Sequence, residues 1–160
     1  MKGTDEAGRG KWLSDLPFAV RVKKWFFSHG GNSQQLSVKD LQKKLEDSVD
    51  HNGYGDKDIT GNDSILEAQN WYSKPDKDDC GKEEADALGV VHIVFGHDPG
   101  ALDDRGRIAM SKNQILIKID TAMGIHDGSS VEPAVLLHID TKGTDTAESL
   151  DVHGGSKKLF

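Results

Sequence analysis

Two apolar runs in this chain stop abruptly at a histidine beside glycine: Val22-Lys23-Lys24-Trp25-Phe26-Phe27-Ser28-His29-Gly30-Gly31 and Val90-Val91-His92-Ile93-Val94-Phe95-Gly96-His97-Asp98-Pro99. Runs of this kind read as strands, and α/β proteins place functional side chains at the carboxyl ends of such strands. His29 and His97 are therefore the first candidates for chemistry, as metal ligands. Gly30, Gly31 and Gly96 clear side chains from around them, so that backbone and ligand can come close. A plainer reading stands beside this one, because most histidines in a soluble domain are surface residues or packed partners in a core.

At 160 residues the chain suits one domain and is long enough to bury a core. Its formal charge of −7, with no cluster of Lys and Arg, disfavours nucleic acid as a partner. No long apolar run suggests a membrane span, and no apolar stretch follows Met1-Lys2-Gly3-Thr4-Asp5-Glu6, so neither membrane nor signal peptide is expected. Cys80 is the only cysteine, which leaves no internal disulfide framework and points to the cytoplasm. It sits in a charged loop without a base partner, an unpromising place for a catalytic thiol.

The pattern along the chain predicts a mixed α/β layered fold. Residues 1–15 read as a loosely held lead-in, and 18–27, rich in Val and Phe, as one strand whose Trp25, Phe26 and Phe27 are mostly core. Ser37 is a candidate N-cap for a helix over 38–50, where Val38, Leu41, Leu45 and Val49 recur at helical spacing. Residues 50–62 read as loop, 64–72 as a short helix and 74–81 as a mobile surface loop. A helix over 82–88 should stop at Gly89 and lead into a strand over 90–95. A hairpin is expected from 107–110 and 114–120, and a last strand over 134–140. The ordered body would then span 16–141, with 142–160 as a flexible tail. The strands ending at His29 and His97 should be adjacent or nearly so in one sheet, with the helix over 38–50 covering one face.

Three short motifs are set aside. Asp50, Asn52, Tyr54, Asp56 and Asp58 fit the early half of a calcium loop, but Gly61 stands where a bidentate Glu is needed. Asp104-Arg105-Gly106-Arg107 reads as an exposed turn. Asp151-Val152-His153-Gly154-Gly155 echoes the first histidine motif but follows no predicted strand and reads as coincidence.

Four segments taken in order are more specific than either histidine alone: Phe26-Phe27-Ser28-His29-Gly30-Gly31-Asn32, Asn62-Asp63-Ser64-Ile65-Leu66-Glu67-Ala68, Ile93-Val94-Phe95-Gly96-His97-Asp98-Pro99 and Ile117-Lys118-Ile119-Asp120-Thr121-Ala122-Met123. They resemble the second half of calcineurin-like metallophosphoesterases, nearest the bacterial and plant-type serine/threonine protein phosphatases. The resemblance implies part of a metallophosphoesterase β-sandwich flanked by helices, with His29 and His97 as ligands of a two-metal centre. It implies a manganese, iron or zinc cofactor and a phosphate ester or phosphoprotein substrate. It also places Gly30, Gly31, Asn32, Gly96, Asp98, Gln69 and Asp120 near the site. A pair of metals about 3.5–4 Å apart would clamp the ester and activate a bridging water.

The chain also departs from that family. The Asp-x-His, Gly-Asp-x-x-Asp and Gly-Asn-His-Asp/Glu motifs do not precede His29, Gln69 stands in place of a phosphate-binding Arg, and Ala122 in place of Gly. The expectation is a C-terminal piece, inactive alone, that binds metal weakly and whose partner would be an N-terminal half. No catalytic residue is assigned. The alternatives are a non-catalytic remnant serving as a binding or interaction module, and an unrelated acidic α/β domain.

Overall fold

A computed structural model describes residues 12, 15–73, 79, 81–122, 136–142, 145–151 and 153–160. The stretch expected as one strand over 18–27 is a hairpin: β1 (Ala19–Val22) reverses at Lys23 and Lys24 and returns as β2 (Trp25–Ser28). Lys23 takes a left-handed backbone (φ 54°), and the Arg21 Nε donates to its carbonyl at 3.0 Å. Two adjacent lysines offered nothing to bury, so the chain turned where it had been read as continuous.

Beyond the hairpin, β2 pairs in parallel with β3 (His92–Phe95), setting Trp25 opposite His92, Phe26 opposite Ile93 and Phe27 opposite Val94. β3 pairs in parallel with β5 (Leu116–Lys118), and β5 antiparallel with β4 (Ala109–Met110), the hairpin expected from the sequence. The sheet order is β1-β2-β3-β5-β4. The mixed α/β layered architecture expected from the sequence is the one observed.

The helices follow their local signals. In α1 (Val38–Asn52) the Ser37 hydroxyl accepts from the Asp40 amide, and Leu41 and Leu45 are buried against the sheet. Inside the expected loop a single turn of helix, α2 (Lys57–Thr60), is capped by Asp56, whose carboxylate accepts from the Asp58 amide at 2.7 Å. α3 (Lys82–Leu88) ends at Gly89, which adopts the left-handed backbone (φ 66°) that such a stop requires. The short helix expected over 64–72 does not form. There the Ser64 hydroxyl accepts from the amides of Leu66 and Glu67, drawing the backbone into turns, and Asn70 takes φ 60°.

Alternation along the strands gives the sheet two buried faces. Phe26, Ile93, Phe95 and Leu116 pack with Leu41, Leu45, Ile59 and Leu88 on the helical side. Trp25, Val94 and Ile117 pack on the other side with Ala147, joined by Leu159 and Phe160.

That second face corrects the flexible-tail expectation for 142–160. Residues from this stretch form β7 (Thr146–Leu150) and β8 (Ser156–Lys158), which pair with β6 (Leu136–Asp140) in a three-stranded antiparallel sheet. Asp151, His153 and Gly155 lie in the β7–β8 turn, where the Asp151 carboxylate accepts from both other residues' amides, so the second histidine-glycine motif does follow a strand. The Trp25 indole donates to Asp145 at 2.9 Å and stacks on Phe160 at 6.0 Å, fastening the end of the chain to the first sheet. The lead-in through residue 11, most of the loop over 74–81 including Cys80, and residues 134 and 135 lie outside the described residues. Among the described residues, no helix is long and apolar enough to cross a membrane.

His92 sits inside this second core, its ring between Trp25 (4.2 Å) and Phe160 (4.8 Å), with Nδ1 2.7 Å from the Gln114 carbonyl. Burial lowers its pKa, outweighing the opposing pull of the Gln114 carbonyl and Asp145. An unfolded histidine accepts a proton near pH 6.5, before the folded one does, so the unfolded state binds more protons as the pH falls. The stability contributed by neutral His92 is thus present above about pH 6.5 and lost below it. Urea unfolding at successive pH values should show this decline, and His92→Gln should flatten it. Trp25→Ala should cost about 3–5 kcal/mol in the same assay.

Candidate functional site

Because β2 and β3 run parallel and in register, their carboxyl ends lie side by side and the chain leaves both at the same edge. The Gly96 amide donates to the His29 carbonyl at 2.8 Å, extending the pairing past the strands. The two imidazoles meet there: His29 Nε2 lies 3.1 Å from His97 Nδ1, with ring centroids 4.9 Å apart. His97 adopts a left-handed backbone (φ 66°), an uncommon conformation for a residue with a side chain and worth about 1–2 kcal/mol of strain. Its other ring nitrogen faces the turn over 64–72, where Gln69 Nε2 lies at 3.1 Å and the Glu67 carboxylate at 3.6 Å.

Gly30 and Gly31 let the loop after β2 pack closely on the turn over 64–72 and on Phe95. The Gly30 amide donates to the Ile65 carbonyl at 2.6 Å, and its own carbonyl accepts from the Trp71 indole at 2.8 Å. Gly31 has φ +83°, and a Cβ there would lie 2.6 Å from the Trp71 ring and 2.9 Å from Phe95. Asn32 is nearly buried, donating to the Asp63 carbonyl and accepting from the Gln34 amide.

Among the described residues, neither of the two candidate aspartates bonds to an imidazole. Asp98 accepts from the Tyr72 hydroxyl and from the Gly100 amide. Asp120 accepts from the Ala122 amide at 2.9 Å, in a bend where Ala122 itself has φ 56°.

Several supporting residues were not anticipated. Glu84 on α3 is buried, and one of its carboxylate oxygens accepts from the Ser33 and Gln35 amides at 3.1 and 3.0 Å and from the Ser33 hydroxyl. It ties the loop after His29 to a helix fifty-one residues away. Lys118 is fully buried, and its ammonium donates to the carbonyls of Pro99 and Asp104 at 3.0 and 2.5 Å, holding the loop after His97 onto β5. Burial lowers its pKa, while Asp104, Asp120 and Asp98 oppose that shift. A lysine between Ile117 and Ile119 in an otherwise apolar run was the one visible signal; Glu84 gave none.

This sheet and its flanking helices define a mixed α/β fold. No family model matches the sequence, and no curated protein matches it. Among solved structures, a cold-active protein tyrosine phosphatase determined at 1.1 Å superposes with a TM-score of 0.69 at 17% identity, covering 94% of this chain and 44% of that one. The cold-active protein-tyrosine phosphatase of a psychrophilic Shewanella species gives 0.70 at 15% identity, covering 94% and 45%. The likeness is one of fold, and this chain spans less than half the length of either enzyme.

These findings correct the resemblance drawn from the motifs. Both of these structures that share the fold are protein tyrosine phosphatases, and no family model supports a calcineurin-like metallophosphoesterase or its serine/threonine phosphatase branch. The two-metal phosphoesterase reading is set aside with it, and the non-catalytic module offered as its alternative gains no support. The donor set also corrects the manganese, iron or zinc cofactor. Each imidazole commits a nitrogen to the other, His97 commits its second to Gln69, and among the described residues no group of three or more His, Cys, Asp or Glu could hold a metal ion.

The loop anchor is testable by stability. Glu84→Ala would leave the buried Ser33 amide and hydroxyl without their acceptor, each at about 1–3 kcal/mol. A markedly lower unfolding midpoint is expected, against little change for Glu83→Ala on the exposed side of the same helix.

Proposed function

We propose that the strand-end cleft of His29, His97 and Gln69 receives the phosphoryl group of a phosphate ester or phosphoprotein, as part of a phosphatase-type domain. The observation that carries the reading is the convergence of these three side chains at the joined ends of β2 and β3. Imidazoles and a carboxamide supply the N–H donors that phosphoryl oxygens accept. Asp98, the acidic neighbour of His97, is turned to Tyr72 and Gly100, which lessens repulsion of an anion. The fold likeness to tyrosine phosphatases supports the same substrate class. With an overall charge of −7, attraction for phosphate must come from these local donors rather than from the field of the whole molecule.

Titration of isotope-labelled protein with phenyl phosphate tests this. The ring resonances of His29 and His97 and the Gln69 side-chain amide should move together, with a dissociation constant on the order of 1 mM, equivalent to about −4 kcal/mol. The His29→Ala/His97→Ala protein should bind at least about tenfold more weakly, a loss of about 1.4 kcal/mol. Undiminished binding in the double variant, or shifts confined to another face, would place the phosphoryl site elsewhere.

A further inference from the structure

Beside the histidine cleft, the loop after β2 and helix α3 border a cavity of about 400 Å³ whose walls include Gln34, Gln35, Trp71, Glu83 and Glu84. Small-ligand sites span ~300–1,000 Å³, so the space suits a small group. Glu84 is only 8% exposed, and its bonding is one-sided. The Ser33 amide and hydroxyl and the Gln35 amide all donate to a single carboxylate oxygen, Oε2. Among the described residues Oε1 accepts no hydrogen bond, and no ion pair reaches Glu84. The lysines on either side are engaged elsewhere: Lys82 pairs with Asp86 at 2.6 Å, and Lys44, which donates to Gln34, lies 3.4 Å from Asp58.

We propose that this cavity binds an alkylammonium group, with Glu84 Oε1 as its acceptor and the Trp71 ring as its apolar wall. A carboxylate buried this far keeps its charge at a cost unless donors meet both oxygens. The loop supplies them for one oxygen, and a ligand N–H supplies the other. Glu83, whose carboxylate accepts from Gln35 Nε2 at 3.1 Å, adds a second negative charge to the same walls. Trp71 is half-buried and held in place, its indole donating to the Gly30 carbonyl at 2.8 Å and its ring meeting Phe95 edge-on at 5.5 Å. An indole attracts a cation, and the alkyl stem of an amine can lie along it. A metal ion fits less well, since among the described residues no group of three or more His, Cys, Asp or Glu could hold one. The site uses neither histidine, so it stands independently of the phosphoryl reading.

Titrating the isotope-labelled full chain with n-butylammonium chloride, read at the Trp71 indole N–H and the Ser33 and Gln35 amides, tests the site. Saturable shifts are expected with a dissociation constant on the order of 1–10 mM. The same concentrations of n-butanol, which lacks the charge, should give none. In Glu84→Gln the side-chain carbonyl can still accept from the two backbone amides, which only donate, so its NH2 group takes the place of Oε1. Binding should fall at least about tenfold, or about 1.4 kcal/mol. Glu83→Gln, at an exposed position on the same helix, should weaken binding about threefold through the lost charge. Nα-acetyl-lysine amide separates the sources: tighter binding than butylammonium assigns the site to a lysine side chain of a protein or peptide, weaker binding to a free amine. Four results would overturn the proposal: no saturable shift, equal binding of butanol, the same shifts with magnesium chloride, or undiminished binding in Glu84→Gln. Should that variant fail to fold, undiminished binding in Glu83→Gln decides against the site in its place.

Discussion

Everything that gives this chain a site depends on the parallel pairing of β2 with β3. The contact joins segments almost seventy residues apart, and its members Trp25, Phe26, Ile93, Val94 and Phe95 are essentially inaccessible to water. Burying side chains of this size stabilises by about 1.5–3 kcal/mol each, more than any polar contact in the cleft can supply. The register is equally important, because a slip of one residue would exchange the two faces of the strand and move both histidines. Helical packing on one face and the three-stranded sheet on the other hold that register from both sides.

The cleft is built outward from this frame by polar anchors. Glu84 holds the loop that follows His29, Lys118 holds the loop that follows His97, and Tyr72 with the Gly100 amide holds Asp98 aside. Buried charges of this kind are costly unless fully bonded, so each contributes mainly by fixing one loop conformation rather than by adding net stability. Left-handed backbone at Gly31, Gln34, Gln35 and His97 shows where that fixation is needed.

Much of this was legible in the chain because the signals were local. Ser37 and the spacing of Leu41 and Leu45 marked α1, Gly89 marked the end of α3, and the two apolar runs marked neighbouring strands whose final histidines meet. What escaped depended on distant partners. β7 and β8 are short and largely polar, and they are ordered by Trp25 and Phe160, residues with no periodicity to reveal the contact. Helical propensity over 64–72 lost to the Ser64 hydroxyl, a competition that composition does not decide. The ordered histidine and Ile-Asp-Thr segments located the cleft but misled on its chemistry, since motif order does not reveal which nitrogens are already committed to one another.

The most direct measurement is of the proximity on which the account stands. Nuclear Overhauser contacts between the ring protons of His29 and His97, with amide exchange across β3, should show a close imidazole pair at the end of protected strands, as centroids 4.9 Å apart require. Absence of ring-to-ring contacts, together with rapid exchange from Ile93 to Phe95, would mean that β2 and β3 do not pair in solution and that no common cleft exists.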